Sequence, residues 1–172
     1  MYALAARELY KASGLEAKAT ILHDFQKNKL KAKRPDYPEF EPSFLNLVYS
    51  SKMTKQKNLV KYILMKIYNS NSTGLTADSE QMTMEHLAPE NPSKKGALTA
   101  EQVASIGNVI LLNQNLNNKL ANKSFPDKVV LLEKSHVWLD PIISSAKQWG
   151  AEEIEKRTKL LAENAYEKVW VL

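Results

Sequence analysis

Apolar residues return every three or four positions through most of the chain, and that spacing predicts helices. Residues 1–31 place Leu4, Leu9, Leu15, Ile21, Leu22, Phe25 and Leu30 among many alanines and no proline, which suits one or two amphipathic helices. The segment RPDYPEFEP, Arg34 to Pro42, holds three prolines in nine residues and predicts a loop or extended linker at a boundary. From Ser43 to Asn69 the helical spacing resumes. Phe44, Leu47 and Val48 precede a lysine-rich break, and Leu59, Ile63, Leu64 and Ile67 follow it, so two further helices are expected.

The pattern then changes. Asn69 to Glu80 reads as a polar loop, and in QMTMEHLAPENPSKKG the residues Met82, Met84 and His86 alternate with polar ones like a short strand that stops at Pro89. Thr99 to Ser105 predicts a short helix with Thr99 as its N-cap, because Glu101 and Gln102 fall in the first turn. IGNVILLNQ is an apolar run of strand length, and NLNNKLANK reads as a helix despite its asparagines. Further helices are expected from Ser124 to Lys134, from Pro141 to Trp149, and from Ala151 to Val171. The plan is a mainly α protein interrupted once, between about Gln81 and Lys123, by strand, loop, strand and helix. Its regions run from 1 to 79 and from 80 to 172, in one compact domain.

A length of 172 residues supports one core, and 44% apolar with 25% charged residues lies near globular averages. No apolar run is long enough to span a bilayer, and Arg7 and Glu8 interrupt the opening segment where a signal peptide would be apolar. A soluble, cytoplasmic protein with no membrane partner is expected. The absence of cysteine excludes disulfides, thiolate nucleophiles and cysteine-held metals, so any metal must have oxygen or imidazole ligands.

The net charge of +5 is uneven. Pro42 to Ala77 contains no Asp or Glu while Lys52, Lys55, Lys57, Lys61 and Lys66 accumulate, and Lys27, Lys29, Lys31, Lys33 and Arg34 form a second cluster. Such clusters suit either a polyanion-binding surface or a solvated face. His23 and His136 have no company that suggests chemistry, and Trp138, Trp149 and Trp170 read as core.

Chemistry concentrates in the interruption. Glu85 and His86 are adjacent at a predicted strand end, and six asparagines fall between Asn108 and Asn122. Asparagine competes with the backbone for hydrogen bonds, so such a cluster in a helix costs stability unless the amides have a task.

EHLAPENP followed by IGNVILLNQNLNNKLANKSF resembles the HNH-type, ββα-metal nuclease domain with an HxxP motif, in the form found at the C-terminal end of GmrSD-type modification-dependent restriction enzymes. The pattern E-H-x-x-P, then G-N-x-x-L-L, then L-N-x-K-L-x-N-K-x-F occurs in order, and Ile154, Arg157, Leu161, Ala165 and Trp170 resemble the family's terminal helix. The fold so implied is a helical domain enclosing a small ββα-metal (HNH) module.

The resemblance implies that His86 is the general base of a metal-dependent DNA endonuclease in restriction and antiviral defence. It implies that Glu85 and Asn117 are metal ligands, and that Asn108 holds the loop by side-chain to backbone bonds. A neutral imidazole at working pH suits the base. Glu85 should lie on the opposite side of the strand from His86, so a twist at the strand end is required for both to meet one metal. A carboxylate and an amide oxygen with water favour Mg2+, with Mn2+ as the other candidate. Lys119, Asn122 and Lys123 match the motif's tail and are candidates for the DNA backbone, together with Lys55, Lys57 and Lys61. The partners implied are DNA and an N-terminal ParB-like nucleotide-hydrolysing domain of the same parent protein. A non-catalytic DNA-binding or regulatory module that keeps the fold is the alternative, and an RNA substrate stays open because nothing reports on a 2′ hydroxyl.

Overall fold

The computed structural model describes residues 1–71, 81–90, 98–121 and 123–171. Helices α1 (Tyr2–Lys11) and α2 (Leu15–Asp24) open the chain, and α2 runs on through a π-helical stretch, Phe25–Leu30, and a 3-10 turn, Lys31–Lys33. Helices α3 (Tyr37–Leu45) and α4 (Lys57–Asn71) follow, then strand β1 (Met82–His86) and helix α5 (Ala100–Ala104). A 3-10 turn, Ile106–Asn108, leads into strand β2 (Val109–Asn113), which runs directly into α6 (Gln114–Leu120). The remaining helices are α7 (Phe125–Lys134), α8 (Pro141–Ser145) and α9 (Ala151–Asn164), the last continued by a π-helical turn, Ala165–Val169. Among the described residues, no helix is long and apolar enough to cross a membrane.

The only sheet among the described residues pairs β1 with β2 antiparallel, with His86 opposite Val109 and Met82 opposite Asn113. Strand β2 is buried on both faces. Val109 and Leu111 join Phe44, Leu47, Ile63, Leu64, Ile67 and Leu161 in one core. Ile110 and Leu112 join Leu87, Leu116, Leu120, Phe125, Leu132 and Ile143 in a second. An uninterrupted apolar run is what such a doubly covered strand requires, and this is why IGNVILLNQ shows no polar alternation. Residues from both sides of position 80 thus share the first core.

Four expectations are corrected. The proline-rich segment is not a linker, because helix α3 starts inside it. Asp36 caps the helix by accepting from the Glu39 amide at 3.0 Å, and Pro38 sits in the first turn, where no N–H is needed. Pro42 lies inside the helix and is tolerated because packing outweighs it: Phe40 and Tyr37 pack tilted and edge-on against Tyr166 at 5.4 and 5.3 Å, and Phe44 is buried. Leu47 and Val48 are not helical, since Val48 bridges Ser105 and the Ile106 amide donates to the Leu47 carbonyl. The helix expected from Pro141 to Trp149 stops at Ser145, and Trp149 instead stacks on Phe125 at 4.9 Å. Of the polar loop from Asn69 to Glu80, residues 69–71 belong to α4 and 72–80 lie outside the described residues.

Helix α9 braces the start of β2. Buried Arg157 donates from Nε to Asp140 at 2.6 Å and from Nη1 to the carbonyls of Gly107 and Val109 at 2.7 and 2.8 Å. Gly107 is required by this close approach, because a Cβ there would lie 2.1 Å from Thr158 Oγ1 and 2.3 Å from the Ile154 carbonyl.

Candidate active site

Strand alternation sends Glu85 and His86 to opposite faces of β1. The strand stops at His86, and the cavity beyond it, about 290 Å³, is lined by both residues together with Tyr49, Ser51 and Glu90. The end of the strand therefore does what its alternation alone does not.

His86 is buried, with 7% of its surface exposed. Its Nε2 lies 2.8 Å from the Tyr49 carbonyl, and its ring stacks on the Tyr49 ring at 5.6 Å with 14° between planes. A carbonyl only accepts, so Nε2 carries the proton and Nδ1 is the basic nitrogen. Nδ1 lies 3.4 Å from Glu90 Oε1, within ion-pair range once the imidazole is protonated. Glu90 is held in turn by the amide of Ser51, at 2.9 and 3.0 Å to its two oxygens, and by the Ser51 hydroxyl. Burial, and then the Glu90 carboxylate, raise the Tyr49 phenol above its usual value, so it stays protonated at neutral pH.

The Tyr49 carbonyl is placed by backbone pairing, since the Tyr49 amide donates to the Ala104 carbonyl at 2.7 Å beside the Val48–Ser105 bridge. Helix α5, which carries Ala104, starts with a full capping box between Thr99 and Gln102. The loop after His86 is pinned by Asn108, which is fully buried. The Asn108 side chain accepts from the Ala88 amide at 2.8 Å and the Trp149 indole at 2.9 Å, and donates to the carbonyls of Ala88 and Val103 at 2.9 and 2.8 Å.

Glu85 Oε1 accepts from the Lys128 ammonium at 2.6 Å, and the same ammonium donates to the His86 carbonyl at 2.5 Å. Asn117 does not line the cavity. Its Nδ2 donates to Thr83 Oγ1 at 2.8 Å, which sets it beside the Glu85 face of β1, two residues up the strand. Among the described residues no three His, Asp or Glu side chains are grouped to hold a metal ion. The Glu85 carboxylate and the Asn117 amide oxygen are oxygen donors of the hard kind that suits Mg2+.

Residues 34–164 match the family model of the C-terminal domain of GmrSD restriction endonucleases. The chain belongs to that family. No curated protein matches this GmrSD-type C-terminal domain. The matched span runs from before α3 through α9 and includes every residue of the cavity named above.

The candidates for DNA contact are spread out. Lys119 on α6 and Lys123 are exposed, and Asn122 lies outside the described residues. Lys55 and Lys57 are exposed and Lys61 is half-buried, on the turn and helix that follow the Tyr49–Ser51 segment. Arg34 is withdrawn from the first basic cluster, because its guanidinium bonds the Tyr166 carbonyl and lies 3.8 Å over that ring. Tyr49, Ser51, Glu90 and Lys128 join the site without being singled out by the sequence pattern. Lys128 alone carried a signal: it shares the buried stripe of α7 with Phe125 and Leu132, a position where a lysine needs a partner.

Proposed function

We propose that this domain is a metal-dependent DNA endonuclease of the HNH type, with β1, β2 and α6 as its ββα module and His86 as general base. The observation that carries the reading is His86 itself: one ring nitrogen is committed to a carbonyl, and the other is turned toward a cavity shared with two carboxylates. Nδ1 takes a proton from a water, whose oxygen bonds to phosphorus as the bond to the 3′ oxygen breaks, and the leaving oxygen takes a proton from solvent. The resulting imidazolium is stabilised by the Tyr49 carbonyl at Nε2 and by Glu90 beside Nδ1. Glu85 and Asn117 would hold Mg2+ or Mn2+, which supplies charge stabilisation at the phosphate and the leaving oxygen. Double-stranded DNA is the proposed substrate. The proposed partner is an N-terminal ParB-like nucleotide-hydrolysing domain that senses modified DNA.

The test is cleavage of supercoiled plasmid with Mg2+ or Mn2+ against an EDTA control. His86→Ala should lower the rate by about 10²- to 10⁴-fold, and its melt should stay cooperative though lowered, since a buried side chain bonded to the Tyr49 carbonyl is lost. Equal cleavage by both chains would overturn the assignment of His86, and DNA binding without cleavage by either would favour a non-catalytic module. Lys55, Lys57 and Lys61 are proposed to meet the DNA backbone. Changing all three to Gln should flatten the salt dependence of binding by roughly 0.9 in log–log slope for each phosphate no longer neutralised, and an unchanged slope removes them from the interface.

A further inference from the structure

A nuclease site built on one carboxylate that already holds a cation poses a physical problem. The Lys128 side chain has no exposed surface, and its ammonium is committed to Glu85 Oε1 and the His86 carbonyl. It cannot reach a substrate in the cavity. Glu85 keeps 17% of its side chain exposed and lines the cavity, so the carboxylate faces a buried ammonium on one side and open space on the other. A second cation on that carboxylate meets the repulsion of the first. Between a divalent ion and an ammonium a few ångströms apart, even water-like screening makes this worth about a factor of ten in affinity.

We infer that Lys128 is a positioning residue that fixes Glu85 by one oxygen and keeps the site weak for a divalent cation until a substrate phosphate adds its negative charge. The inference rests on the reading of Glu85 as a metal ligand. Two charges in the cavity wall bear on it besides Lys128: Glu85 itself and Glu90, which Ser51 and His86 already engage. With Lys128 in place these sum to one negative charge, and without it to two. The phosphodiester supplies the missing one. Metal and substrate then bind cooperatively, each raising the affinity for the other.

The experiment follows free Mn2+ by electron paramagnetic resonance as the full chain is titrated without DNA. Lys128→Gln, which is shorter but keeps N–H donors while removing the charge, should tighten Mn2+ binding by about tenfold. Lys128→Met should do the same, and a melt of each variant reports whether it is folded. A purely structural role for Lys128 predicts equal or weaker binding in the variants, and that result overturns the inference. A second arm leaves Lys128 in place and uses a chain that does not cut the duplex, with a melt to report that it is folded. In a His86→Ala background, a DNA duplex should tighten Mn2+ binding at least tenfold after subtraction of the ion held by the duplex alone, and equal affinity with and without the duplex also overturns the inference. Glu85→Gln separates the two levels of the argument. If it leaves Mn2+ binding unchanged, Glu85 is not a ligand and the underlying reading fails; if it abolishes binding while the Lys128 variants match the unaltered chain, only the inference fails.

Discussion

Two buried cations flank the small sheet, and they are chemically near twins. Arg157 bonds the Asp140 carboxylate and two backbone carbonyls, and Lys128 bonds the Glu85 carboxylate and one. They differ in what the carboxylate can see. Asp140 is 1% exposed and also caps α8 by accepting from the amides of Ile142 and Ile143, so its capacity is spent within the protein. Glu85 borders a cavity. A sealed pair is a brace, while a pair whose carboxylate opens to solvent keeps room for another cation. Arg157 suits the first role because its planar fork reaches several acceptors at once, and Lys128 suits the second as a compact point charge.

The contrast can be broken at the brace first. Arg157→Met leaves Asp140 buried without a counter-charge and should cost about 3–5 kcal/mol, read as a lowered melting temperature. A loss below about 1 kcal/mol would show that the pair is not a brace. At the open pair the effect should be smaller, because Glu85 can turn to water: Lys128→Gln should cost about 1–2 kcal/mol in the same melt. If the Lys128 variant proves the more damaging of the two, the assignment of roles is reversed. The smallest effect belongs to Lys159→Ala on the outer face of α9. The ion pair of Lys159 with Glu155, at 2.7 Å, is solvent-exposed on both sides, and its removal should leave the melting temperature unchanged within error.

Much of the fold was legible because it is local. The Thr99 cap, the apolar run of β2 and the apolar spacing of α4 and α9 each declare themselves within a dozen residues. Helix α3 did not, because its prolines speak locally while the aromatic contacts with Tyr166 that hold it come from the far end of the chain. The site divides in the same way. His86, Glu85, Asn108 and Asn117 stand in a recognisable order in the sequence. Tyr49 contributes a backbone oxygen, which any residue type would supply, and its position is set by the distant Ala104–Ile106 segment. Glu90 is an ordinary charged residue whose meaning depends on what folds beside it, and Lys128 shows itself only by its place on the apolar stripe of α7.

The Asn108 side chain has a consequence for the order in which the molecule assembles. Its partners lie at positions 88, 103 and 149, and the turn that carries it is clamped by Arg157 from α9. Most of these bonds close long loops of chain, and such closures come late and slowly in folding. The shape of the loop after His86 is therefore tied to contacts that close late, through Trp149 and, by way of Arg157, through α9. A partly folded chain can hold its helices and still lack the shape of the cavity beyond β1, so the cavity is a late product of folding rather than of any one segment.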